Sequence, residues 1–489
     1  MKGVLKIGGV LLGALLLLVL AIAVRAATWK PPVPPPAAHV APPVEVDVAG
    51  AARHLSEAIR FRTVSNQDAS KNDWSQWDRF HDWLRTAYPH ANAAMTRQDL
   101  GRTLIWTWKG SDPSLKPMVL MAHQDVVPVE VETLGRWRHA PFSGEIAEGA
   151  VWGRGSVDDK GSLIGLMETA DALAAKGFKP RRTIMIVSGH DEEVLGSGAR
   201  AAAAWFKAQN ITPEFVLDEG MLALGHDPLN NKPIAPIGIS EKGYATLRIT
   251  AHGKGGHSSA PPDETAVQVL AKAVDRIASD RFPLRFDGPG ADMVRVLAAD
   301  ANPTTRALIA NDWLFGGLIA RKMGAVPAAG ATLRTTIAPT VLEGSPKENV
   351  LPQTATALIN YRLHPRDTLA SVMARARRDV RGLDVELAWN PNAAEASPVA
   401  STRSEAWRVL STLAAQETAA RPAPSLFNGA TDARHMSLVT RDIYRFQPIR
   451  IEAAEIEMFH GVNEHMSLEN LKRAVGFYER LMLTEGDPR

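Results

Sequence analysis

Five short stretches carry the residues from which chemistry can be built. They are Ala122-His123-Gln124-Asp125, Gly153-Arg-Gly-Ser-Val-Asp158-Asp159-Lys160-Gly161, His190-Asp191-Glu192-Glu193, Leu217-Asp218-Glu219-Gly220 and Phe459-His460-Gly461-Val462-Asn463-Glu464. The first follows an apolar run, Met118-Val-Leu-Met, of the kind that forms a buried strand. Side chains two apart on a strand share a face, so His123 and Asp125 project together where it ends. In open α/β sheets ligands bind at that carboxyl end. A carboxylate beside an imidazole fixes the tautomer with which histidine binds a metal. The other stretches also have ordinary uses: Asp158-Asp159 as a helix cap, Glu192-Glu193 as a solvated loop pair, Asp218 as a turn cap, His460 as a hydrogen-bonded core histidine. Their repetition after apolar strands points elsewhere. Carboxylates gathered at one sheet edge repel, and burying them together is costly unless a cation neutralises them. Two divalent ions bridged by one carboxylate, each also held by a histidine and a second carboxylate, resolve that conflict. The chain has no cysteine, so its ligands are nitrogen and oxygen, which suits Zn²⁺, with Co²⁺ or Mn²⁺ as alternatives.

Strands and helices must position these groups. Residues 47–62, 73–88, 163–176 and 198–209 have helical spacing, whereas 103–108, 118–122, 182–188 and 215–217 are short apolar strands. Their alternation predicts an α/β fold, a mostly parallel sheet flanked by helices. From about residue 240 the pattern changes to period two, in 245–251, 355–362 and 383–389, with helices at 264–278 and 368–380. That is the signature of an antiparallel sheet with one wet face. The expected organisation is a first domain of 47–240 and 393–489, re-entered through the helix 403–419, with a second, α+β domain of 241–392 inserted into it.

Length and composition bound the function. The chain has 489 residues, enough for two or three domains. Its net charge is +2 with both signs mixed, which excludes the concentrated basic face of a nucleic-acid binder. At the N-terminus, Lys2 and Lys6 precede an uncharged apolar run over 7–24, and Arg25 follows. The run reaches the lower limit for a bilayer span. Residues 1–29 are expected to be a signal anchor, favoured over a cleaved signal peptide, with a cytoplasmic N-terminus and the body outside the cytoplasm or exported. Residues 30–46, rich in proline, read as a semi-rigid spacer.

Taken in order, these motifs resemble the zinc aminoacylase and carboxypeptidase family, metallopeptidase family 20, over nearly all of 47–489. Ser240-Glu-Lys-Gly, Gly256-His-Ser-Ser-Ala-Pro-Pro, Arg334-Thr-Thr, Asn349-Val-Leu-Pro and Ile443-Tyr-Arg-Phe-Gln-Pro resemble its carboxypeptidase S branch, which includes N-fatty-acyl-amino-acid synthase/hydrolases. The resemblance implies two Zn²⁺ bridged by Asp158, with His123 and Asp218 on one ion and Glu193 and His460 on the other. It implies Glu192 as general base, Asp125 as the orienter of His123, and His257 from the inserted domain, acting as a lid, as oxyanion donor. The implied reaction is hydrolysis of an amide next to a free carboxylate, in an N-acyl amino acid or a short peptide. Asn349 and Arg362 match positions that bind that carboxylate, and Arg434 is a further candidate. A strict dipeptidase is an alternative, as is a non-catalytic solute-binding or scaffold homologue, although no ligand position departs from the family pattern. The lid carries a long segment, 281–345, including Trp313-Leu-Phe-Gly-Gly-Leu-Ile-Ala320. It is expected to cover a surface through which relatives dimerise, line an acyl pocket, or pack as core, leaving monomer and homodimer both open.

Overall fold

A computed structural model describes residues 2–32, 37–227 and 229–487. Contacts divide the chain into two units. The larger holds the described residues of 37–227, 232–242 and 396–487, and the smaller holds Gly243–Glu395 together with the N-terminal helix.

The larger unit is built on an eight-stranded sheet. Its order is Thr96–Leu100, Thr103–Trp108, Ile184–Ser188, Met118–Met121, Phe215–Leu224, Ile443–Ile451, Ile234–Glu241 and Arg421–Phe427. The sheet is mixed. Met118–Met121 lies parallel to both its neighbours, Phe215–Leu224 is also parallel to Ile443–Ile451, and Thr103–Trp108 runs antiparallel to Ile184–Ser188. Central strands covered on both faces must be apolar on both, and all residues of Met118–Met121 and Ile184–Ser188 are buried. Alternation divides them between two layers. Met118, Leu120, Ile184 and Ile186 pack with Leu163, Ile164 and Met167 of the helix Lys160–Ala175. Val119, Met121, Met185 and Val187 pack with Ala199, Ala202 and Phe206 of the helix Ser197–Ala208. The loops that follow these strands carry the chemistry.

The expected spacer is docked where it is described. Ala38 N–H donates to Thr412 Oγ1 at 3.0 Å, Arg480 donates to the Ala41 carbonyl at 2.8 Å, and Val40 and Val46 pack on the core. These bonds and the apolar contacts of Val40 and Val46 hold this part of the segment against the larger unit. The run Val33–Pro36 lies outside the described residues.

In the smaller unit, four antiparallel strands lie in the order Thr336–Glu343, Thr354–Leu363, Gly243–His252 and Val385–Trp389. Leu247, Ile249, Ala357, Ile359 and Tyr361 fill one face, under Val269, Leu270, Ala273, Val372 and Ala376 of two helices. Both helices open with reciprocal caps, Thr265 with Gln268 and Thr368 with Ser371, which satisfies amide groups left over at a helix start. The N-terminal helix Lys2–Thr28 contains a window, Val10–Thr28, of mean hydropathy 2.7, long and apolar enough to cross a membrane.

Candidate metal centre and active site

Met118–Met121 ends two residues before His123, whose ring is buried. Its Nδ1 faces the Asp125 backbone carbonyl at 3.0 Å and the Asp125 carboxylate at 3.3 Å. That fixes the proton on Nδ1 and turns the Nε2 lone pair outward, toward Asp158 Oδ1 at 3.0 Å. Asp125 does more than orient His123. It is fully buried and accepts a hydrogen bond from Ser65 Oγ. Its two oxygens also accept from the amides of Glu192 and Glu193, at 3.1 and 3.2 Å. One carboxylate thus locks the histidine to the turn bearing the glutamate pair.

Asp158 lies between two histidines. Its second oxygen, Oδ2, is 3.2 Å from His460 Nε2, and the same Nε2 is 3.2 Å from Glu193 Oε2. Among the described residues, ligand atoms of His123, Asp158 and Glu193 fall within 4.8 Å of one another. The other oxygen of Glu193 is buried with no hydrogen-bond partner. Asp218 leaves Phe215–Leu224 in the same sheet, buried, with its oxygens accepting from the amides of Glu219 at 2.9 Å and Ala433 at 2.7 Å. Carboxylate and imidazole atoms this close, one of them an orphaned acceptor, fit a divalent cation held by nitrogen and oxygen.

The electrostatics agree. Burial pushes Glu192 well above the ordinary carboxylate range, with the charges of Asp432, Glu193 and Asp125 adding to it against the opposing His123. Glu193 rises to about 6, by burial and the charge of Asp158, and Asp159 to about 8, by burial. Burial also opposes the charge on Asp158, but hydrogen bonds from His123 and His460 outweigh it and hold its carboxyl below the ordinary range. The bonds to Asp158 and Glu193 lift His460 to about 10. The raised Glu192, Glu193, Asp159 and His460 mark a buried excess of acidic groups, while Asp158 is held down by its two histidines.

Two further residues belong to this arrangement, and neither was assigned a role from the sequence. Glu464, fully buried, accepts from the amides of Gly155, Val157 and Asp158 at 3.0, 2.9 and 3.1 Å and pairs with Arg154 at 2.8 Å. Arg154 in turn donates to the carbonyls of His460 and Gly461 at 3.1 and 2.7 Å. The pair ties the loop of Asp158 to the loop of His460. The available signal was a carboxylate four residues after His460 in a turn of Gly and Asn, where no cap is needed. Asp432 is buried with both oxygens unpartnered, and burial and Asp218 push it well above its ordinary range. It lies against Gly189 and Gly196, where a Cβ would come within 1.9 and 2.2 Å of its oxygens. Arg434, two residues on, donates to the Leu195 carbonyl at 2.9 Å and so braces the turn after Glu193.

In the smaller unit, His257 and Asn349 are brought together and Arg362 lies on a neighbouring strand. Gly256–His257 pairs with Val350–Leu351, and Ser258 N–H donates to the Asn349 carbonyl at 3.2 Å. His257 is exposed, and its Nδ1 meets Ser259 Oγ at 2.7 Å. Asn349 Oδ1 is buried without a partner. Arg362 sits opposite Tyr244 in the sheet, its guanidinium 4.6 Å above that ring, on the less buried face.

Comparisons with known proteins find relatives along most of the chain. A family model described as Peptidase family M20/M25/M40 matches residues 119–484. A probable carboxypeptidase S-like protein of Dictyostelium discoideum is 35% identical over 446 residues, covering 88% of this chain and 84% of its own. An N-fatty-acyl-amino acid synthase/hydrolase of Xenopus tropicalis is 35% identical with the same coverage. Carboxypeptidase S of Saccharomyces cerevisiae is 28% identical, covering 88% and 83%. Among solved structures, an M20 family metallo-carboxypeptidase of Sulfolobus solfataricus superposes with a TM-score of 0.65 at 16% identity, over 89% of this chain and 99% of its own.

Proposed function

The chain belongs to peptidase family M20/M25/M40, and we propose that this metal-dependent amide hydrolase acts on N-acyl amino acids, with two Zn²⁺ as its metals. The observation that carries the reading is Asp158, whose two oxygens address two different histidines, His123 and His460. A carboxylate in that position suits a bridge between two cations. His123 with Asp218, and Glu193 with His460, are the ligands assigned to each. When bound, the metals supply Lewis acidity and a lowered water pKa.

The chain's own groups do the rest. Glu192 takes a proton from the attacking water and returns it to the departing amine. Asp125 keeps His123 and the glutamate turn in register. His257 donates to the developing oxyanion. Arg362, a planar fork suited to a carboxylate, and Asn349 bind the free carboxylate of the substrate. The unpartnered Asn349 Oδ1 is left to accept the substrate's amide N–H. Arg434 contributes to the same recognition. The acyl preference is supported by the relative from Xenopus tropicalis, whose name gives N-fatty-acyl amino acids as its substrates. Carboxypeptidase action is the second reading, supported by the yeast relative's name. The apolar N-terminal helix is assigned as a signal anchor that keeps the enzyme on the outer side of the membrane.

Metal content by mass spectrometry, with release of free amino acid from a panel of N-acyl amino acids and dipeptides, tests both substrate readings. Two zinc ions per chain and chelator-sensitive cleavage of the acyl substrates are expected. Cleavage of dipeptides alone would replace the acyl reading with the peptidase one, and inertness toward both would remove it.

A further inference from the structure

The segment 281–345 forms helices at Gly288–Leu297, Pro303–Ala310, Asp312–Met323 and Pro327–Ala331. Asp312–Met323 is two-faced in an unusual sense. Asn311 and Ala320 are fully buried and hold it to the unit. Phe315, Ile319 and Met323 are half-buried on the side turned to the unit, and the side away from them carries Trp313, Leu314 and Leu318, which are 57%, 42% and 49% exposed. These positions, with Gly317 and the exposed Arg321, fall at helical spacing on one stripe. Val326 just beyond is 57% exposed. Large apolar groups gathered on an open surface mark a contact with something apolar.

The neighbouring element indicates what that is. The N-terminal helix packs against Pro303–Ala310, and its Ile22 and Ala26 are half-buried among exposed neighbours. Arg25 Nε donates to the Ala310 carbonyl at 2.7 Å, and Asn311 Nδ2 donates to the Ile22 carbonyl at 3.2 Å. The corner that starts Asp312–Met323 is therefore bonded to residues 22–25, the downstream end of the apolar window. If that window spans a bilayer, its downstream end lies where hydrocarbon meets headgroups. Trp313 is two residues from Asn311 and donates to its Oδ1 at 3.3 Å. Tryptophan favours that interface, and the exposed Arg321 and Lys322 at the far end suit lipid phosphates.

We propose that the Trp313–Leu314–Leu318 face of this helix lies on the outer leaflet of the lipid bilayer, beside the N-terminal helix, as a second and interfacial membrane contact. The proposal rests on the signal-anchor reading of Lys2–Thr28. Two contacts fix an orientation, whereas a single span leaves the body free to rotate about its axis. Apolar area placed in the interface also adds to membrane affinity.

The absence of cysteine makes the test direct. Single variants Leu314→Cys, Leu318→Cys, Val19→Cys and Lys272→Cys of the full chain carry a nitroxide label and are reconstituted into phosphatidylcholine–phosphatidylglycerol vesicles. The ratio of oxygen to nickel-chelate accessibility is then read by paramagnetic resonance. Positions 314 and 318 are expected to show a ratio severalfold above that of position 272, as position 19 does. An aqueous signal at 314 and 318 with a lipid signal at 19 overturns the proposal and leaves the anchor standing. A lipid signal at 314 and 318 with an aqueous one at 19 supports the surface and removes the anchor, and aqueous signals at all three remove both. Strong dipolar coupling between labels at 314 would show a second copy of the chain on this face, and also overturns it.

Discussion

The loops bearing His123, Asp158, Glu193 and His460 differ from the loop bearing His257 in how their side chains are held. In the first group the loops are pinned by buried carboxylates, although the ring of His460 is itself exposed and meets only Asp158 and Glu193. Asp125 locks His123 and the Glu192-Glu193 amides, and Glu464 locks the amides before Asp158. His257 is exposed on a two-residue strand, with Ser259 beside it. The difference fits the roles proposed for the two groups. Metal ligands must be set before the cation arrives, because reorganising them would cost affinity. Groups that meet only the substrate need support only when the substrate is present.

Four measurements can break or sharpen that contrast. Glu192→Gln should lower kcat by about a thousandfold, the loss of a general base, while zinc content stays unchanged. Retained turnover would take the base role away from Glu192.

Protonation gives the next largest effect. The folded-state pKa of His460 is raised to about 10, so at neutral pH this ring carries a proton that a cation must displace. Affinity therefore weakens as pH falls, by about tenfold per unit for one displaced proton. Between pH 8 and pH 6 the apparent metal dissociation constant should rise about a hundredfold in competition with a chromophoric chelator. A flat profile would show that no such proton is exchanged.

Glu464→Gln tests whether a residue that holds loops together shapes the centre. Metal affinity should fall about 10- to 100-fold, the range for losing an outer support of a ligand. The Arg154 cation is left without its carboxylate, so thermal unfolding is measured alongside. Lowered stability with unchanged affinity would confine Glu464 to a structural role. On the other side of the contrast, Arg362→Lys should raise KM for carboxylate substrates by about tenfold through loss of the two-pronged bond. Zinc affinity should not move. A KM unchanged within error would assign Arg362 to its contact with Tyr244 instead.

The strands that present the candidate metal centre were legible because their signal is local. Met118–Met121 and Ile184–Ser188 are short and, but for the terminal Ser188, apolar, and both lie inside the expected spans 118–122 and 182–188. The lid strands were legible through their alternation, which one wet face requires. Two expectations were incomplete. Phe215–Leu224 extends well past residue 217: Asp218 interrupts the apolar run yet stays paired with Arg445, and after a register shift the pairing with Ile443–Ile451 resumes at Leu222. The helix expected from Leu163 begins at Lys160. Lys160 is buried, with its ammonium donating to the Ala58 carbonyl at 2.9 Å and to that of Phe61, a pairing across about a hundred residues that no local pattern records.

The sequence by itself determined the chemistry available: nitrogen and oxygen ligands without sulfur, glutamates in tandem, an apolar N-terminus, and two styles of sheet. Residue types and their periodicity encode those properties directly. Only the tertiary structure decided which oxygen of Asp158 faces which histidine, that Asp125 serves His123 and the glutamate turn at once, and that Glu464 and Arg154 join loops about 300 residues apart. Those choices depend on where sheet register and loop closure carry atoms from distant parts of the chain. A hydrogen bond is decided within tenths of an ångström, which spacing along one strand cannot specify.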